Sequence, residues 1–166
     1  MASDGNALTG LWFDGQKFFP EMPVSGYLDQ ILPVFEDTVR WLDCYFSGRI
    51  PEFIPAMNPN GSVFRRTVWD ILLTIPAGRT LTYGRIAEKI ADRTGKGRMS
   101  AQAVGGAVAR NAIMLIIPCH RVVGAGGSLT GYAGGLDRKA RLLQMEQAMI
   151  SRNQAQEQVK ECQKAK

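Results

Sequence analysis

The chemistry-bearing residues of this chain are concentrated in one pentapeptide, Pro118-Cys119-His120-Arg121-Val122, which follows the apolar run Ile113-Met114-Leu115-Ile116-Ile117. His120 is the only histidine, so any imidazole chemistry takes place beside the Cys119 thiol. The apolar run reads as a buried strand and Pro118 as its terminus, which gives the thiol a defined position. A thiol is a poor nucleophile, and free cysteine, with a pKa of about 8.5, is only slightly ionised at neutral pH. A base must take the proton, and His120 is the sole imidazole available. Neighbouring side chains on an extended chain point apart, so direct contact between the two groups is not expected. The pattern is that of a nucleophilic cysteine.

Composition removes several other chemistries. Cys44, Cys119 and Cys162 show neither zinc-ligand spacing nor a disulfide framework. One histidine and three scattered cysteines do not make a structural zinc or iron–sulfur ligand set, so no metal is expected. A reduced, cytoplasmic setting follows. No stretch approaches the roughly 20 apolar residues of a membrane span, and the first residues lack the basic start and apolar core of a signal peptide. With 166 residues, 45% of them hydrophobic, the chain can bury one good-sized core or two small ones. The net charge of +5 is a mild hint of a polyanionic partner. Its placement says more: Arg85, Lys89, Arg93, Lys96, Arg98 and Arg110 gather first, then Arg121, Arg138, Lys139 and Arg141. Part of this is ordinary solvated surface.

The elements that must position the thiol can be read outward from it. Residues Leu8–Phe13 read as a short strand running into an Asp14-Gly15 turn, a hairpin signal. A helix is expected from about Pro33 to Phe46, with Val34, Val39, Leu42 and Phe46 on its apolar face and Gly48 as its stop. Pro51, Pro55, Pro59 and Gly61 mark a connection. Ser62 then caps a helix over about Val63–Thr74, and Thr82 or a neighbour caps another over about Tyr83–Ala91. After the polar loop Asp92–Met99, Ser100 caps a third, Ala101–Ala109. That helix has almost no side-chain bulk, and its adjacent Gly105 and Gly106 cost roughly 1 kcal/mol each relative to alanine. It reads either as a tightly packed buried helix or as one trimmed so that another backbone can approach. Two helices joined by a turn, the second small-faced and near basic residues, form a helix-turn-helix pattern. A glycine-rich stretch from Gly124 to Gly135, broken by Tyr132, leads to a last helix beginning near Leu136-Asp137 and carrying Glu146. From Gln147 the chain is polar, either a fraying extension of that helix or a disordered tail.

These residues closely resemble the methylated-DNA–protein-cysteine methyltransferases, which repair O6-alkylguanine. The resemblance is carried by Ile-Pro-Cys-His-Arg-Val-Val at 117–123, Ala-Val-Gly-Gly-Ala at 103–107 with Asn111 after it, Gly-Tyr-Ala-Gly-Gly-Leu at 131–136, and Leu-Leu-Gln-Met-Glu at 142–146. It covers most of residues 62–146, and Leu8–Phe19 is similar to the family's N-terminal domain. It implies an α+β fold: a small N-terminal α/β domain over residues 1–58, expected to lack the family's first strand. A mainly helical domain with a winged-helix-like helix-turn-helix follows over 59–146, then a polar extension over 147–166. The implied activity is irreversible transfer of the alkyl group of O6-alkylguanine, and more weakly O4-alkylthymine, from duplex DNA to Cys119. The implied protein is a monomer without cofactor, consumed once per lesion. The resemblance further implies a water between Cys119 and His120, with Glu146 holding the imidazole in its useful tautomer. Asn111 would tie the helix-turn-helix to the cysteine strand. The lesion base lies inside the duplex and must be flipped out. The small-faced helix, with Gln102, Ala103 and Gly105, would enter the minor groove, and Arg110 would lie near the backbone. Tyr83 would crowd the phosphate beside the lesion and donate a proton to the departing guanine. Val122, Tyr132, Ala133 and Gly134 would serve substrate binding.

The chain departs from the family pattern in places. Gln102 stands where well-known members place an arginine that fills the gap left by the flipped base, so weaker DNA affinity is expected. Ala133 replaces a serine found in some relatives, and the loop Asp92–Met99 adds positive charge. Cys44 is expected in the core and Cys162 as an exposed tail thiol. Two other readings stand beside the transferase. A non-transferring sensor of alkylated bases would lack the cysteine, and a Cys-His hydrolase would need an oxyanion-hole motif that is not evident here.

Overall fold

The computed structural model describes residues 1–19, 29–95 and 97–164, with backbone alone at 156, 157 and 159–164. Lys96 and the Cys162 side chain therefore lie outside the described residues. Helices dominate, and two small sheets tie the segments around the cysteine together. Strands β1 (Ala2–Ser3) and β2 (Leu8–Gly10) pair antiparallel. The Asp14-Gly15 pair does turn, with Gly15 at φ 70°. It does not fold the strand back on itself, because β2 finds its partner upstream. On its other side, β2 lies along the proline-rich stretch: Leu8 N–H donates to Ala56 O at 2.8 Å and Asn58 N–H to Leu8 O at 2.9 Å.

Helix α1 spans Pro33–Phe46, as its flanking signals predict. Its buried face is different from the expected one. Val34, Thr38, Trp41 and Tyr45 point inward, whereas Val39 and Phe46 are exposed. Polar atoms on the inner face hide its period. Thr38 is fully buried because its hydroxyl donates to Val34 O at 2.7 Å.

Helices α2 (Val63–Leu73), α3 (Tyr83–Thr94) and α4 (Ala101–Ala109) pack on one another around Val68, Trp69, Ile71, Leu72, Ile86, Ile90, Val104 and Val108. All three expected caps form. Ser62 accepts from Arg65 N–H, Thr82 from Arg85 N–H, and Ser100 from the amides of Gln102 and Ala103. Helix α3 runs one turn past its expected end to Gly95, whose φ of 64° closes it in the left-handed conformation. Buried Trp69 Nε1 donates to Ala107 O at 3.1 Å, joining α2 to α4.

The run Ile113–Ile117 is not a strand. Leu11 N–H donates to Ala112 O and Met114 N–H to Leu11 O, which makes a single bridge at Ile113. The chain then coils tightly, with Ile117 N–H on Ile113 O and Leu115 at φ 70°. That left-handed conformation costs a branched residue roughly 1–2 kcal/mol. All five side chains are buried, and unbroken burial leaves no period by which a strand can be told from a coil. Beyond the cysteine, β4 (Val122–Val123) pairs parallel with β3 (Leu81–Thr82), so the start of α3 is pinned to the pentapeptide.

Helix α5 runs unbroken from Leu136 to Lys164. The stretch from Gln147 to Lys164 is thus helical, and Met149 is completely buried in the core. Among the described residues no helix is long and apolar enough to cross a membrane.

Candidate active site

Cys119, His120 and Arg121 form one 3-10 turn rather than the end of an extended strand. The turn leaves Cys119 and His120 both buried, at 1% and 0% exposure. The sulfur is held from the α4 side: Asn111 Nδ2 donates to Cys119 Sγ at 3.1 Å and to Ile117 O at 2.8 Å. Asn111 Oδ1 accepts from Ile113 N–H at 3.0 Å, which fixes the amide's orientation. Met114 Sδ lies 3.6 Å from the thiol. Burial pushes the Cys119 thiol up, against the Asn111 hydrogen bond and the charge of Lys139. The resting sulfur is a thiol until a base removes its proton.

The neighbouring imidazole is held by a different group. His120 Nε2 meets Glu146 Oε1 at 2.8 Å. A carboxylate only accepts, so the Nε2 proton points at Glu146 and Nδ1 carries the free lone pair. Burial lowers the imidazole pKa, Glu146 opposes this, and the charges of Arg121 and Lys139 add to the lowering. His120 is therefore neutral and able to accept a proton at neutral pH. Among the described residues, the buried side-chain polar atoms without a hydrogen-bond partner are His120 Nδ1 and the Tyr132 hydroxyl oxygen. Their rings meet edge-on, 6.5 Å apart between centroids.

Glu146 is fully buried and heavily bonded. It accepts from Arg121 Nη2 at 2.8 Å, Arg121 Nε at 3.0 Å, Gly78 N–H at 3.0 Å and the Tyr45 hydroxyl at 2.8 Å. Burial alone would raise its carboxyl, but hydrogen bonds from His120 and Arg121 and their charges bring it down to about 2. Sequence reasoning missed Tyr45 and Arg121 in this cluster. It also missed Lys139, a fully buried lysine whose ammonium donates to Thr130 O at 2.7 Å. Burial lowers its pKa to about 8, with Cys119 opposing. The available signal was the helical spacing of Lys139 and Glu146, which shows only once the helix is known to pack under the cysteine.

A cleft of about 780 Å³ opens beside this cluster. Its walls include Lys17, Phe18, Tyr83, Gln102, Gly105, Gly131, Tyr132 and Ala133. Several expected binding residues thus share one cavity, while others lie elsewhere. Val122 is fully buried in β4, where it pairs with Leu81 of β3, and does not line the cleft. Ala103 and Arg110 are exposed on α4 and just after it, with the Arg110 guanidinium 5.1 Å above the Phe18 ring. Gly134 is packed between Tyr132 and Phe13, where a Cβ would come within 2.8 Å of Tyr132. Tyr83 donates from its hydroxyl to Gly131 O at 3.1 Å and bears on the same loop carbonyls as Lys139. The cleft wall from before residue 60 went unread in the sequence. Lys17 N–H donates to Ala133 O at 3.0 Å, and Phe18 sits beside it at φ 58°.

Fold and site together define a class: a small α+β protein in which a buried thiol, a lone imidazole and a helix-borne carboxylate lie together beside an open cleft. Residues 63–148 match the family model of the 6-O-methylguanine DNA methyltransferase DNA-binding domain. A methylated-DNA–protein-cysteine methyltransferase of Mycobacterium leprae is 40% identical over 154 residues, covering 90% of this chain and 86% of the relative. One from Methanosarcina acetivorans is 46% identical, covering 88% and 89%. The crystal structure of Mycobacterium tuberculosis OGT in complex with DNA superposes with a TM-score of 0.77 at 40% identity, covering 89% and 85%. The chain belongs to the methylated-DNA–protein-cysteine methyltransferase family.

Proposed function

We propose that the chain repairs alkylated DNA by direct reversal, with Cys119 as the acceptor of one alkyl group from O6-alkylguanine in duplex DNA. The observation that carries the residue assignment is the buried Cys119, His120 and Glu146 cluster next to the cleft walled by α4 and the 131–133 loop. The Cys119 proton passes, through a water, to His120 Nδ1, whose tautomer Glu146 holds. The sulfur attacks the alkyl carbon, a C–S bond forms, and the carbon–O6 bond breaks. Tyr83 donates its hydroxyl proton to the departing guanine oxygen, and the proton on His120 returns through solvent to restore Tyr83. The thioether product is stable, so each molecule acts once. Asn111 supports the developing thiolate with the amide hydrogen already on Sγ.

The target base reaches the cleft by flipping. In this reading α3 and α4 act as a winged-helix-like helix-turn-helix, and α4 lies in the minor groove. Its glycines fit that role. A Cβ at Gly105 or Gly106 would meet only ordinary contacts, at 3.8 Å, so packing within the protein does not demand them. Gln102 and Arg110 stand on the exposed side of the same segment. The layout is a small domain over 1–58, an alkyl-acceptor domain over 59–146 and an extension over 147–166. O4-alkylthymine is a weaker substrate.

Mass spectrometry tests the assignment. After incubation with a duplex carrying O6-methylguanine, the peptide containing Cys119 gains the mass of one methylene, and Cys119→Ala gains none while still binding the duplex. Intact duplex binding with no mass gain at Cys119 in the native chain would sink the transfer reading and favour a sensor. Repeated turnover without a modified cysteine would favour a hydrolase.

A further inference from the structure

Glu146 receives donors from two distant parts of the chain. His120, Arg121 and Gly78 lie after residue 60, whereas Tyr45 belongs to α1. Four donors from three residues converge on one oxygen, Oε1: His120 Nε2, Arg121 Nη2 and the Tyr45 hydroxyl, each at 2.8 Å, and Arg121 Nε at 3.1 Å. The Tyr45 oxygen also lies 3.4 Å from His120 Nε2, so hydroxyl and imidazole crowd the same acceptor. Tyr45 is 1% exposed, and its ring stacks on Trp41 at 5.2 Å, which leaves the hydroxyl little freedom.

We propose that Tyr45 is a positioning residue for alkyl transfer: by sharing Glu146 Oε1 with His120, its hydroxyl sets how tightly the carboxylate holds the imidazole. The proposal rests on the reading of Cys119, His120 and Glu146 given above. An oxygen that already accepts from Tyr45 and Arg121 is a weaker acceptor for Nε2–H. It still fixes the tautomer, but it stabilises the imidazolium less. That keeps Nδ1 unprotonated and free to accept a proton at neutral pH.

The groups facing His120 can be named element by element. Glu146 and Lys139 come from α5, Arg121 and Cys119 from its own turn, Tyr45 from α1 and Tyr132 from the cleft loop. Of these, Glu146 alone favours the charged imidazole, and Tyr45 is the one neutral donor competing for it. Removing the hydroxyl leaves Glu146 freer to bind His120, so the imidazolium gains. The imidazole must be neutral to act as a base, and the acid limb of the rate profile therefore moves to higher pH.

The test is Tyr45→Phe, with single-turnover methyl transfer followed from about pH 5 to about pH 9. Because the chain has one histidine, nitrogen-15 NMR of labelled imidazole reports His120 alone. Both the acid limb and the imidazole titration are expected to rise together by roughly half a pH unit, the size of one modest hydrogen bond. A purely structural tyrosine would lower the plateau and leave both midpoints where they were. Unmoved or lowered midpoints overturn the proposal. Should Tyr45→Phe fail to fold, 3-fluorotyrosine at position 45 alone is a stronger donor. It must move both midpoints to lower pH, and no shift again overturns the proposal. Failure of the native chain to alkylate Cys119 overturns the relay reading itself. Normal native transfer with an unchanged variant profile removes Tyr45 only.

Discussion

Asn111 joins three groups with one amide: a carbonyl, a backbone N–H and the sulfur. Its substitutions separate architecture from chemistry. Asn111→Leu leaves Ile113 N–H buried and unpaired and Ile117 O with Cys119 N–H as its remaining donor, at a cost of roughly 1–3 kcal/mol, measurable by urea unfolding. Asn111→Asp still accepts from Ile113 but cannot donate to the sulfur, and its charge opposes a thiolate. It is expected to lose transfer rate well beyond what its stability loss accounts for. Equal losses in rate and stability across both variants would remove Asn111 from the chemistry. At this scale the thiol, imidazole and amide were legible because their types are rare or stand in a specific motif. Tyr45 was not, since a tyrosine on a helix with an irregular apolar face carries no mark of its hydroxyl's partner.

Among the elements, α4 is the one whose composition conflicts with its own stability. Adjacent glycines weaken a short helix, yet their Cβ positions are free of clashes. Gly105→Ala and Gly106→Ala are therefore expected to raise stability by up to about 1 kcal/mol each. If α4 lies in a groove, the same changes weaken duplex binding. Thermal melting and fluorescence anisotropy at fixed salt measure the two effects. Variants that gain stability without losing affinity would show that α4 does not approach DNA closely. The capped helices α2, α3 and α4 were readable because side-chain caps and 3.6-residue periods are local. The coil at 113–117 was not, because five buried apolar residues satisfy any conformation whose backbone bonds are met elsewhere.

For the whole molecule, acid stability follows from the buried carboxylate. The Glu146 carboxyl, ordinarily near 4.5, is held down to about 2 in the fold. A depressed carboxyl stabilises the folded state fully above its unfolded pKa, and that contribution disappears as pH falls through the folded value. Stability should therefore decline between about pH 5 and about pH 2, and Glu146→Gln should flatten that slope while costing roughly 3 kcal/mol at neutral pH. Denaturation midpoints across the range check both, and parallel slopes would show that Glu146 is not the linked group. The cysteine–histidine pair, the helix caps and the small-faced helix were already set by the amino-acid sequence, because each depends on residue type within a few positions. Which donors surround Glu146 depends instead on how distant segments pack together. Tyr45 and Glu146 are 101 residues apart, and their contact exists only after α1 and α5 both pack against the cysteine turn. Burial then sets the protonation of the cluster, and burial is a property of the packed molecule that no local pattern contains.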